Sequence, residues 1–200
     1  MERFEQLKDM HRHAWNMLFQ AAVKRNHPMR TPALATHSAS GPRVRTVVLR
    51  AADTQTHQLF FFTDIRSHKA EQLGQDGGRI ATLYWDPNKK IQIRCRGTAT
   101  LQQGTERCRE FWNHLSAAGR SAYATTLSPG TEVDHYTTGL PEGWSNNWPA
   151  GKTDFAFEHF ALLVQEVTEV EVLHLEQEGH QRGLFIRKGN GQWAMTWLIP

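Results

Sequence analysis

The chain holds only two cysteines in 200 residues, Cys95 and Cys108. Two isolated thiols without paired spacing make neither a disulfide framework nor a zinc site, so a reduced compartment is the simplest expectation. Charge of one sign is scarce too. The formal net charge is +3, too small a surplus to argue for nucleic acid and equally suited to an anionic small ligand. No run approaches the roughly 20 apolar residues of a membrane span. The first nine residues are charged and amphipathic, without the apolar run of a secretory signal. A soluble, cytoplasmic protein is expected. HExxH, paired CxxC, Walker and Gly-x-Ser-x-Gly motifs are absent, which removes the commonest metalloprotease, zinc, nucleotide and hydrolase readings. His11 and His13 lie two apart on a helix and point to different faces, so no metal pair is expected there.

What remains is ordinary globular material, 39% hydrophobic and 22% charged. One domain over residues 1–200 is expected. Residues 2–25 carry apolar positions three and four apart and predict one amphipathic helix. After Pro28 and Pro32 the period changes. Strands are expected at 33–37, 44–49 and 59–63, with a turn at Gly41-Pro42 and a hairpin joining the last two. A short helix capped by Ser67 follows, then strands at 79–85 and 91–101, then a helix at 105–115 capped by Thr105. Residues 128–152 form a long loop with Trp144 and Trp148, either a lid or a pin onto the barrel. Strands at 155–175, 183–188 and 192–198 close the chain. The pattern predicts a mainly β, antiparallel barrel with helices packed outside.

Three segments carry chemistry. Arg45 and Arg50 bracket a strand, and guanidinium forks suit phosphate oxygens. Five positions apart, they should face opposite sides unless the strand is frayed or bulged. Ser67-His68-Lys69 opens a helix after Phe61-Phe62-Thr63-Asp64, so free N–H groups and an ammonium could cradle an anion. In the strand after Trp85, alternation sets Gln92, Arg94 and Arg96 on one face. Each segment alone is equally consistent with a solvated edge, a capped helix or a polar sheet face.

In order and spacing, these segments resemble the FMN-binding core of the pyridoxamine 5′-phosphate oxidase family. The matches are Arg45 to Arg50, Phe61 to Asp64, Ser67 to Lys69, Trp85, and Gln92 to Gly97. Ala122-Tyr123-Ala124 with Ser128, His180-Gln181-Arg182, and the terminal Trp197 to Pro200 extend the likeness. The resemblance implies a split β-barrel of about six antiparallel strands with flanking helices. It implies a homodimer with FMN at the subunit interface. Arg45 and Lys69 would hold the FMN phosphate, and Arg50, Phe62, Thr63, Gln92, Ser128 and Arg182 would line the rest. Thr46, Val47, Val48, Ser67 and His68 fall within the same matching segments and join the expected cofactor set; Arg50 and His180 are the expected substrate contacts.

The substrate side departs from the family pattern. Residues 111–118 contain no arginine, and Glu178 stands where a phosphate-binding arginine is expected. The implied function is an FMN oxidoreductase acting on a small molecule other than pyridoxamine 5′-phosphate, with a non-catalytic FMN sensor or carrier as the alternative. A nucleic-acid surface built on Arg94 and Arg96 is a third class, which steep salt dependence of binding would support.

Overall fold

A computed structural model describes residues 3–200, the side chain of Gln75 excepted. Helix α1 (Leu7–Val23) lays Met10, Ala14, Trp15, Leu18 and Ala21 against the sheet. The expected start at residue 2 lies outside the described residues, and the helix begins one turn later than position 3 allowed. Its last carbonyls are closed from outside: Arg30 Nη1 donates to Ala21 O and Ala22 O at 3.3 and 2.7 Å.

Among the described residues nine strands form one antiparallel sheet, one more than the eight expected along the sequence. They are β1 (Ala33–Ser38), β2 (Gly41–Thr46), β3 (Leu49–Asp53), β4 (Gln58–Asp64), β5 (Arg79–Asp86), β6 (Ile91–Gln103), β7 (Phe160–His174), β8 (Gln181–Arg187) and β9 (Trp193–Leu198). The path β1-β5-β6-β7-β4-β3 curls around the core; β2 extends one edge, and β8 and β9 extend from β7. This is the split barrel that the pattern and the resemblance implied.

One expected strand proves to be two. Residues 44–49 break at Val47-Val48: the Val47 N–H donates to Pro32 O at 3.0 Å in the register of β1 and β2, and the pairing ends there. Thereafter β2 pairs with β1, and β3 pairs with β4. Gly41-Pro42 opens β2 instead of making the turn, which falls at residues 39–40. An edge strand tolerates the proline because its missing N–H is not needed on the open side. Residues 154–159 form a 3-10 turn ahead of β7 instead of its first residues, and α3 (Glu106–Asn113) stops two residues short of 115.

Strand β7 pairs with β6 along its whole length, while its other edge serves β4 first and β8 later. The exchange coincides with a bulge at Arg96/Gly97, where Arg96 opposes Glu169 and Gly97 opposes Val167. A Cβ on Gly97 would sit 1.8 Å from Glu166 O, so only glycine fits this close approach of two backbones. One core fills the space between α1 and the barrel; a second lies under α3, built on Phe60, Trp112, Tyr123 and Phe160.

Candidate functional site

The expected site residues fall into three groups. The first gathers at the N-terminus of α2 (His68–Gln75). Arg45 leaves β2 on the same side as Thr36, and its guanidinium donates to Thr36 Oγ1 at 2.6 Å and to Gln72 Oε1 at 3.0 Å. Lys69 Nζ donates to Ser67 Oγ at 3.3 Å, and Thr63 Oγ1 lies 3.2 Å from the same hydroxyl. Ser67 occupies the cap position, but its hydroxyl donates back to Asp64 O at 2.7 Å and does not cap the helix. The expected side-chain cap is therefore wrong, and the first-turn N–H groups of α2 keep no side-chain partner.

Burial and then Arg45 hold the Lys69 ammonium below its ordinary pKa, with Asp64 working the other way. Burial and then Arg43 do the same to Arg45. Among the described residues neither cation forms an ion pair. Two uncompensated cations beside an uncapped helix N-terminus are the donor set that a phosphate dianion satisfies. The loop carrying Ser128 arrives here as well: Gly130 lies so close to the His68 ring that an added Cβ would stand 3.0 Å from it. Thr46, Val47 and Val48 supply the backbone link between β2 and β3 beside this group.

Arg50 forms the second group with Phe62. The parity difficulty resolves at a bulge, because Leu49 pairs with Phe61 and Ala51 with Phe60, leaving Arg50 outside the ladder. Its guanidinium lies 4.7 Å from the Phe62 ring centroid, and its buried Nε has no partner. Thr63 and Phe62 point to opposite faces of β4, so Arg50 and Lys69 flank the end of that strand. Asp64, ion-paired with Arg66 at 2.7 Å, acts on Lys69 and on Tyr123, whose hydroxyl burial pushes up in pKa while Arg50 pulls it down.

The third group is a row across the outer sheet face: Trp85, Gln92, Leu173, Arg182 and Leu198 oppose one another in register. Next to it runs Leu83, Arg94, Glu171 and Leu184. Glu171 Oε1 accepts from Arg182 Nε at 2.8 Å and from Arg94 Nη2. Burial works to raise the Glu171 carboxyl, but the two arginines outweigh it and hold the group below the usual carboxylate range. Arg96 pairs with Glu169 at 3.1 Å. The basic face suggested by Arg94 and Arg96 is thus largely neutralised in the plane of the sheet. The nucleic-acid reading loses its footing.

His180 and Arg182 line an open cavity of about 1040 Å³ with Phe4, Asp9 and Trp197. His180 Nδ1 accepts the Glu176 N–H at 3.1 Å, so the proton of a neutral ring sits on Nε2. Glu178 opens instead on a smaller cavity with Arg3 and Lys90, away from His180 and Arg182. The stretch 111–118 serves the second core. Phe111 packs on Phe62, and buried Trp112 donates to Asp154 Oδ1 at 2.7 Å. Trp144 packs on that same core and against Trp148, so the tryptophans pin the long loop.

Sequence reasoning missed Thr36 and Gln72, which aim Arg45, and Glu171, which ties Arg94 to Arg182. Glu169 and Glu171 alternate along β7 just as Arg94 and Arg96 do along β6, and that matched period of opposite charge was a usable signal.

The fold is a split barrel with two cations gathered at the start of α2 and a polar row on the outer sheet face. Comparison with known proteins agrees. Residues 12–103 match the family model described as pyridoxamine 5′-phosphate oxidase, FMN-binding domain. A pyridoxine/pyridoxamine 5′-phosphate oxidase from Hyphomonas neptunium is 26% identical over 189 residues, covering 90% of this chain and 82% of its own. A pyridoxamine 5′-phosphate oxidase-related, FMN-binding protein from Nostoc punctiforme has 25% identity and a TM-score of 0.73, with both chains covered in full (100%). PhzG from Burkholderia lata, solved with tetrahydrophenazine-1-carboxylic acid, has a TM-score of 0.73 at 19% identity over 100% of this chain and 98% of its own, a likeness of fold. Residues 12–103 thus resemble the FMN-binding domain of the pyridoxamine 5′-phosphate oxidase family, a family whose cofactor is FMN, and the whole chain shares the split-barrel fold of the solved FMN-binding relative. No helix among the described residues is long and apolar enough to cross a membrane.

Proposed function

We propose that this protein is an FMN-dependent oxidoreductase acting on a small organic substrate other than pyridoxamine 5′-phosphate. The observation that carries the cofactor is the uncompensated Arg45–Lys69 pair at the uncapped start of α2. Arg45, Lys69 and the first N–H groups of α2 would hold the phosphate, with Ser67, Thr63 and His68 around it. Arg50 and Phe62 would follow at the end of β4, and Gln92, Ser128 and Arg182 would meet the ring. Bound FMN would supply hydride or electron transfer, and the chain's residues orient it and shield it from water.

The substrate reading rests on what occupies the family's phosphate-binding positions. Phe111 and Trp112 are committed to packing, and residues 111–118 carry no arginine. An oxidase assay should therefore give little hydrogen peroxide from pyridoxamine 5′-phosphate; robust release would overturn this part. The same loss favours the second reading, a non-catalytic FMN sensor or carrier. Anaerobic bleaching of the flavin by an organic donor separates the two.

The protein would work as a homodimer with FMN between subunits. The outer sheet face supports this reading: Leu83, Trp85 and Ile186 are each about 40% exposed there beside the Gln92–Arg182 row. A cytoplasmic location goes with the reduced cysteines and the flavin.

A further inference from the structure

Glu171 is buried, yet nothing in the cofactor reading so far uses it. It sits on β7 between two guanidiniums of opposite strands. Arg94 stands directly across on β6, and Arg182 reaches back diagonally from β8. One carboxylate oxygen, Oε1, accepts from both. Arg94 has no slack to take over, since its Nε is buried without a partner. Arg182 spends its Nε on Glu171, and its two terminal nitrogens carry no hydrogen bond among the described residues. Arg182 lines the cavity that His180 and Trp197 also line.

We infer that Glu171 is a positioning residue that holds Arg182, and through it the ring of the bound cofactor. This rests on the FMN reading above. A free arginine side chain loses rotamer entropy on fixing. Anchoring at Nε removes most of that cost in advance and leaves a planar fork aimed outward. Without Glu171 two guanidiniums would face each other at the sheet surface. Their repulsion would swing Arg182 away from the row shared with Gln92.

The test is a double-mutant cycle on FMN affinity, read by quenching of flavin fluorescence in the full-length chain. Glu171→Gln and Arg182→Ala should each weaken FMN by roughly tenfold, as for hydrogen bonds to charged groups. In the Arg182→Ala background, Glu171→Gln should then have no further effect. Glu171→Asp, which keeps the charge, should recover part of the affinity. Combined with Arg45→Ala, the effect of Glu171→Gln should add in full, because that group lies elsewhere. Circular dichroism and thermal unfolding of each variant identify any that fail to fold; Glu171→Asp then carries the cycle. Equal losses from Glu171→Gln with and without Arg182, or no loss at all, overturn the positioning role. A wild-type chain that takes up no FMN overturns the cofactor reading and this role with it.

Discussion

Replacing Lys69 by Met removes one cation from the cradle while keeping most of its apolar stem. In the wild-type chain this ammonium is half-buried, has Ser67 Oγ as its polar contact at 3.3 Å, and is held below its ordinary pKa of 10.5 by burial and by Arg45. A phosphate dianion would reverse that balance. A charge-assisted contact of this kind is worth about 1.5–3 kcal/mol, so the FMN dissociation constant should rise about 10- to 150-fold. Riboflavin lacks the phosphate, and its weaker binding should be unchanged. The pH dependence has a definite sign. The contribution of Lys69 is present at neutral pH and lost as pH rises through its lowered pKa, earlier than for an exposed lysine. Fluorescence titrations of FMN and riboflavin against both proteins, at neutral and alkaline pH, make the measurement. Equal losses for FMN and riboflavin, or none for either, would refute the phosphate assignment.

Other expectations follow from particular contacts. Gly97→Ala forces a Cβ to within 1.8 Å of Glu166 O, and should cost more than about 4 kcal/mol in urea unfolding; a loss under about 1 kcal/mol would show that the β6–β7 bulge yields freely. His11 is buried against Trp193 and Phe185, and burial, then His57, lower its pKa from 6.5 to about 4. The neutral ring is the one the fold accepts, so about 3 kcal/mol of stability is present above pH 6.5 and lost as pH falls toward 4. His11→Phe should flatten stability against pH across that window, even though it strands the Trp15 N–H that His11 Nε2 accepts; an unchanged slope would refute the assignment. Trp85→Glu should split the dimer in light scattering and release FMN, whereas a wild-type monomer would refute the interface.

Much of this fold was legible because its signals are local. The stripe of α1, the alternation in β5 and β6, and the caps around Thr105 all act within a few residues. What escaped depended on distant partners. Val44 to Leu49 looks like one strand, and only the exchange of partner from β1 to β4 splits it. The register puzzle of Arg45 and Arg50 could be posed from the sequence, but its answer is a bulge set by β4.

The site divides the same way. Arg45, Ser67 and Lys69 could be singled out in the sequence because they adjoin recognisable elements. Thr36, Gln72 and Glu171 act across strands or onto a helix, so nothing beside them in the chain marks their role. Residues 111–118 were read for what they lack, and the structure gives the reason: their aromatic side chains build the second core.

The central claim is that Arg45, Lys69 and the start of α2 form an FMN phosphate site. The visible absorption spectrum of the purified protein tests it most directly. The preparation should be yellow and release FMN on denaturation, or the apoprotein should become yellow when FMN is added. A colourless protein that will not take up FMN would contradict it.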